Sequence, residues 1–180
     1  MAGGHLDGKR IAFLVANEGI EQVELTKPWS AVVDAGGSPE LIAPEKGKAQ
    51  AFNHLDKADT FRVDVVTAKA DPSRYDAVVL PGGVANPDRL RQDDDAVAFV
   101  KAFFDENKPV AVICHGPWTL VEAGVLPGRT VTSWPSLHSD LENAGATWVD
   151  QPVVVDGNLI TSRKPDDLDA FCDALLGAVG

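Results

Sequence analysis

Cysteine is scarce in this chain. Two occur in 180 residues, Cys114 and Cys172, too few for a disulfide framework, and neither CxxC nor HExxH spacing is present to hold a metal. Basic residues are also short: 16 lysines and arginines against 27 aspartates and glutamates leave a formal net charge of -11. A surface built to neutralise phosphates is excluded by that balance, so no nucleic-acid partner is expected. No apolar run approaches the roughly 18 residues of a membrane helix. The opening "MAGGHLDGKR" lacks the apolar stretch of a secretory leader. Repeats, linkers and low-complexity tracts are missing too, and "PGGVAN" is not the G-x-G-x-x-G of a dinucleotide site. These absences point to a cytoplasmic protein with one domain over 1–180 and no metal or cofactor. At 44% hydrophobic residues it can bury a substantial core.

What is present is alternation. Arg10–Ala16 ("RIAFLVA"), Tyr75–Leu80 ("YDAVVL") and Pro109–Cys114 read as strands buried on both faces, and Pro39–Ala43 as a further strand. Between and after them, helical spacing predicts helices over Glu21–Ala35, Asp93–Glu106, Pro117–Ala123, Leu137–Ala144 and Pro165–Val179. Pro28 is expected to bend the first helix or delay its start. The stretch 47–67 reads as a small hairpin or edge pair, Thr130–Thr132 as a short strand, and "DGN" as the turn of a hairpin between Val153–Val155 and Leu159–Thr161. Such alternation means a mainly parallel sheet covered on both faces. Ligands of such sheets sit beyond the carboxyl ends of the strands, where "ANEGIEQVE", "PGGVANPD" and "CHGPW" all fall.

Cys114 stands where a strand turns into a helix, the setting of a nucleophile elbow. Helix amides facing the sulfur are expected to lower its pKa and make it nucleophilic. The plainer alternative is an inert buried thiol, the role Cys172 fits on the apolar stripe of "DAFCDALLG". His115 is the natural proton acceptor, although neighbouring side chains usually diverge, and a histidine in that role needs a carboxylate to fix its ring. Otherwise it is an exposed first-turn histidine; His5, His54 and His138 are expected on the surface. Glu18, Glu21 and Glu24 follow the first strand, and the last two share a helix face; as first-turn acids they could simply complement the helix dipole. Gly82 and Gly83 let backbone approach a ligand and could offer an amide to an oxyanion. Asp88 could equally be a cap for the turn at Arg89.

With those residues placed, "AVICHGPW", "YDAVVLPGG", "GVLPGRTVTSWP", "NAGATWVD" and "VVVDGNLITSRKPDDL" resemble, in the same order, the PfpI family, the intracellular protease I branch of the ThiJ/PfpI superfamily. The resemblance spans about Arg10 to Val179. It implies a flavodoxin-like three-layer sandwich, like that of class I glutamine amidotransferases, with Cys114 as nucleophile and His115 as its base. Glu24, in "EQVEL", matches the glutamate that contacts the cysteine, and Glu21 a second acid nearby. The amides of Gly83 and His115 match the oxyanion pair. Asp88 matches a position where relatives carry glutamate, contributed from the adjacent subunit to orient the histidine, which implies a homodimer or a hexamer built from such dimers. The class I amidotransferases themselves are set aside, because Val112 replaces the first glycine of G-x-C-x-G and no H-x-E follows. The parkinsonism-associated branch lacks a histidine after its cysteine and carries one where this chain has Trp134. The activity implied is a stress-related hydrolase attacking a carbonyl of a peptide, a 2-oxoaldehyde or a glycation adduct. The rival is a redox-sensing or chaperone-like stress protein in which Cys114 oxidises and catalysis is vestigial.

Overall fold

The computed structural model describes residues 5–180; the first four, part of the opening stretch read above for a leader, lie outside the described residues. Its centre is a seven-stranded sheet built from β1 (Arg10–Leu14), β3 (Ser38–Ala43), β6 (Val65–Val66), β7 (Ala77–Leu80), β8 (Val110–Ile113), β11 (Val153–Asp156) and β12 (Leu159–Ser162). Their order across the sheet is β11-β12-β8-β7-β1-β3-β6. Every pair is parallel except the β11–β12 hairpin. This is a flavodoxin-like α/β sandwich.

The pleat explains the two cores. On β1, Ile11 and Phe13 face one layer and Ala12 and Leu14 the other, all fully buried. The first layer is closed by α1 (Gln22–Asp34), through Leu25 and Val32, and by α6 (Leu168–Val179), through Phe171, Leu175 and Val179. The second is closed by α3 (Asp94–Asp105), α4 (Pro117–Ala123) and α5 (His138–Asn143), through Phe99, Phe103, Leu120 and Leu141. Each fully buried Leu or Phe of this kind stabilises the fold by roughly 1.5–3 kcal/mol. The chain leaves β1 towards β3 on one side and β7 lies on the other, so the strand order reverses between β1 and β7. A crevice opens at such a reversal, beyond the strands' carboxyl ends.

The expected hairpin at 47–67 forms as β4 (Lys48–Asn53) and β5 (Asp56–Arg62). Three elements depart from the sequence reading. Glu18–Glu21 is a short strand, β2, because β4 offers it a parallel partner far along the chain. Thr147–Trp148 forms β10 on β9 (Thr130–Val131). Ala85–Leu90 is a helix, α2, so Asp88 lies within a helix and does not cap one. Pro28 sits inside α1 and does not delay it; it has no N–H to offer the Glu24 carbonyl one turn earlier.

Candidate active site

Cys114 follows directly on β8 and has φ +63°, in the left-handed region that a side chain seldom occupies. The surroundings hold it there. Its N–H donates to the Ser162 carbonyl at 3.1 Å, and its own carbonyl accepts from the Trp134 N–H at 2.9 Å. A strained residue persists only when its neighbours fix it on several sides. Gly116 completes the turn, where a Cβ would lie 2.6 Å from Val112 Cγ1 and 2.9 Å from the Ile113 carbonyl. The helix α4 begins only at Pro117, so the turn, and not a helix end, presents the thiol.

The left-handed turn swings Cys114 and His115 to the same side, and Sγ lies 3.2 Å from His115 Nδ1. The imidazole stacks on Trp134, with centroids 5.9 Å apart and planes at 22°, and meets Trp118 edge-on at 5.3 Å. Its other nitrogen, Nε2, lies 3.5 Å from Ser136 Oγ. Burial pushes the His115 pKa down to about 4, so the ring is neutral at pH 7. A neutral ring can accept the thiol proton at Nδ1 only as the tautomer with hydrogen on Nε2, the nitrogen facing Ser136.

Glu24, from the first turn of α1, is completely buried against the sulfur. Burial, and then the charge of Glu21, push its carboxyl from 4.5 up to about 8, against hydrogen bonding from Cys114 and from the amides of Gly82 and Gly83. These contacts are loose, since neither carboxyl oxygen reaches a partner of ordinary hydrogen-bond geometry. Glu24 therefore rests protonated at neutral pH. The thiol departs from the expectation of a lowered pKa. Burial and the negative charge of Glu24 push it up, and they outweigh the amides of Gly83 and His115, which pull it down. Protonation of Glu24 removes the second of those upward causes.

Gly82 and Gly83 are required by space. A Cβ on Gly82 would lie 2.5 Å from Cys114 Cβ and 2.6 Å from Glu24 Oε1. Gly83 has φ +84°, and a Cβ there would come within 2.1 Å of the Gly19 carbonyl.

These groups floor a cavity of about 570 Å³. Phe52, Leu55, Val84, Trp118 and Trp134 make its walls apolar, while Glu18, Glu21, Asp88, Arg89 and His54 stand among them. Arg89 pairs with Glu18 at 3.0 Å, and Glu21 accepts from the His54 N–H at 3.1 Å. The structure thus brings Cys114, His115, Glu24, Glu21 and Gly83 together. Asp88 is exposed on the rim and makes no bond to His115 of its own chain. His5 and His138 are on the surface as expected; His54 is exposed too, but it borders the cavity. Among the described residues no cluster of three His, Cys, Asp or Glu side chains could hold a metal, and no helix is long and apolar enough to cross a membrane. Sequence reasoning missed the aromatic walls, Ser136 and Asn86. Only the aromatic richness of "CHGPW" and "TSWPS" hinted at the first.

The model of the DJ-1/PfpI family matches residues 9–178. The chain belongs to that family. As a DJ-1/PfpI protein it is 43% identical, over 90% of its length and 94% of the relative's, to a deglycase of Pyrococcus horikoshii. The same identity relates it to YraA of Bacillus subtilis, a candidate cysteine protease by name, over 91% of this chain and 94% of that one. Among solved structures it resembles a two-domain protein of Anabaena variabilis containing DJ-1/ThiJ/PfpI-like and ferritin-like domains, with TM-score 0.89 and 35% identity. That alignment covers 94% of this chain but 47% of the longer one, so this DJ-1/PfpI chain spans about half of it. Schizosaccharomyces pombe DJ-1 matches with TM-score 0.83 and 26% identity, covering 95% of this chain and 92% of its own.

Proposed function

We propose that the protein is a cytoplasmic, stress-related cysteine hydrolase that attacks small carbonyl adducts in the manner of a deglycase. The observation that carries this reading is the Cys114 Sγ to His115 Nδ1 approach of 3.2 Å at the floor of an apolar cavity. His115 takes the thiol proton at Nδ1, and the sulfur forms a bond to the substrate carbonyl carbon. The π pair of the carbonyl moves to oxygen, which accepts hydrogen bonds from the amides of Gly83 and His115. Where the attacked carbon bears an amine, the oxyanion pair re-forms the carbonyl as the C–N bond breaks, the amine leaves with the proton from His115, and water hydrolyses the resulting thioester. Where it bears none, His115 returns its proton to the oxygen and a hemithioacetal forms. Glu24, protonated, steadies the sulfur, and Glu21 keeps the rim negative.

A neutral histidine with a pKa near 4 is a weak base. Asp88 from an adjacent subunit would raise it by placing a carboxylate against Nε2, so the active form is a homodimer or a hexamer built from such dimers. Small carbonyls are favoured over extended peptides because Cys114 is only 7% exposed, low on its elbow in a cavity lined by Trp118, Trp134 and Val84.

The experiment compares wild type with Cys114→Ala for methylglyoxal loss, release of glycated thiols and amines, and casein cleavage. Adduct or methylglyoxal turnover that vanishes in Cys114→Ala supports the proposal. Turnover that survives places the chemistry elsewhere. Casein cleavage alone makes the enzyme a protease, and inactivity on all three with reversible oxidation makes it a thiol sensor.

A further inference from the structure

Between β7 and α2 the chain passes through Pro81, Gly82 and Gly83, and the side chain of Asn86 reaches back beneath this turn. Asn86 is 1% exposed, yet every hydrogen-bonding group it needs to satisfy is met. Its Nδ2 donates to the carbonyls of Pro81 and Gly82, both at 3.0 Å. Its Oδ1 accepts from the Ala16 N–H at 2.7 Å. The amide orientation is unambiguous, because one end faces a donor and the other faces two acceptors.

The peptide plane explains what these bonds control. The Gly82 carbonyl and the Gly83 N–H belong to one planar, trans unit and point in opposite directions. Fixing the carbonyl on one side therefore aims the N–H on the other, towards the Cys114 thiol and the Glu24 carboxyl. The turn packs against these so closely that a Cβ on Gly82 would lie 2.5 Å from Cys114 Cβ and 2.6 Å from Glu24 Oε1. With glycine at both ends, that unit is among the easiest in the chain to rotate. Were it to flip, a carbonyl oxygen would face the sulfur where an amide donor is needed. Apart from Asn86, the Gly82 carbonyl receives, among the described residues, only the Glu21 N–H, at a long 3.4 Å.

We infer that Asn86 is a positioning residue, a latch that holds the Gly82–Gly83 peptide with its N–H turned to the reacting sulfur and ties that orientation to the end of β1. This deepens the reading of Cys114 as the reacting group, but its test needs no turnover. The measurement is the rate at which iodoacetamide alkylates Cys114, followed by peptide mass mapping from pH 7 to 10, in Asn86→Ala and Asn86→Asp. Asn86→Asp keeps the acceptor for Ala16 and loses both donors. Loss of the Gly83 donor shifts the thiol titration upward, and alkylation at a given pH slows about tenfold for each pH unit of that shift. Leu90→Ala, a core truncation on the same helix, lowers the melting temperature and leaves alkylation of Cys114 unchanged. Folded Asn86 variants within about twofold of wild type overturn the latch. So does slowing by Leu90→Ala of the same size. If the Asn86 variants do not fold, a high-resolution crystal structure of the unaltered protein decides: the three bonds intact support the latch, and a flipped Gly82–Gly83 peptide overturns it.

Discussion

The Cys114 sulfur lies 3.2 Å from Nδ1 of the very next residue, His115. Successive side chains of a strand point to opposite faces, so this contact exists only because β8 has ended and φ at Cys114 is positive. With thiol pushed up, imidazole pushed down and Glu24 protonated, the resting site carries a proton on each acid and a neutral imidazole. It therefore stores little charge at a site that is largely shielded from solvent.

Glu24 carries the clearest pH consequence. Its carboxyl rises from 4.5 to about 8 on folding, so in that window the folded protein holds a proton that the unfolded chain has released. Stability therefore falls as pH rises through it, by at most about 4–5 kcal/mol. His115, lowered from 6.5 to about 4, works in the opposite sense and loses stability as pH drops through its own window. The two slopes oppose each other below pH 6.5, which leaves a net fall from about 6.5 to 8. Glu24→Gln should abolish that fall, and thermal melts at both pH values check it. An equal fall in the variant would exonerate Glu24. Glu24→Gln paired with Glu24→Leu reads the contact with sulfur: Glu24→Gln keeps a donor and should leave alkylation of Cys114 near wild type, whereas Glu24→Leu should slow it.

Much of this arrangement was legible in the order of residues. The apolar runs at β1, β7 and β8 are long enough and sufficiently unbroken to demand burial on both faces, which fixes a parallel sheet. The elbow could be read because "VICHG" leaves no room for a loop. What could not be read depends on distant partners. β2 exists by pairing with β4, about thirty residues on. The thiol pKa was misjudged because an elbow speaks for amides, while burial and the charge of Glu24 become apparent only once α1 is packed against β8. Asn86 carried no signal at all, since its three partners lie in the turn before it and at the end of β1.

Asp88 tests the assembly. It is exposed and free of His115 in its own chain, so Asp88→Ala should fold normally and lose most activity. Mixing Asp88→Ala with Cys114→Ala under conditions that exchange subunits distinguishes the arrangements. If the aspartate acts across the interface, each mixed dimer has one complete site, and activity returns to about a quarter of wild type. If mixing restores nothing, the carboxylate acts within its own chain or not at all.

Gly83 should tolerate nothing larger. The backbone conformation alone costs an alanine roughly 1–3 kcal/mol, and its Cβ would press on the carbonyl of Gly19 and the N–H of Glu21. Because those contacts are backbone, neither can yield by rotating a side chain. Gly83→Ala should lower the denaturation midpoint and open the turn that aims the amide, so activity should fall more steeply than stability. Urea titration and initial rates on one preparation measure both.

Oxidation separates the two cysteines on chemistry, because burial does not: Cys114 is 7% exposed and Cys172 6%. Burial pushes the Cys172 thiol up to about 11, with nearby Lys27 offsetting part of the rise, and the residue sits in the apolar layer between α6 and the sheet. Cys114 is pushed up as well, but it borders an open cavity, with a proton acceptor at 3.2 Å and two amides facing its sulfur. The thiolate is the form that peroxide attacks, and only at Cys114 do those groups help to make it in a place peroxide can enter. Graded peroxide should therefore convert Cys114 to sulfenic and then sulfinic acid while Cys172 stays reduced, with activity lost in step. Peptide mass mapping reads both sites in one experiment. In His115→Ala the proton acceptor is gone and oxidation of Cys114 should slow towards that of Cys172; an unchanged rate there would mean that the imidazole takes no proton from its neighbour.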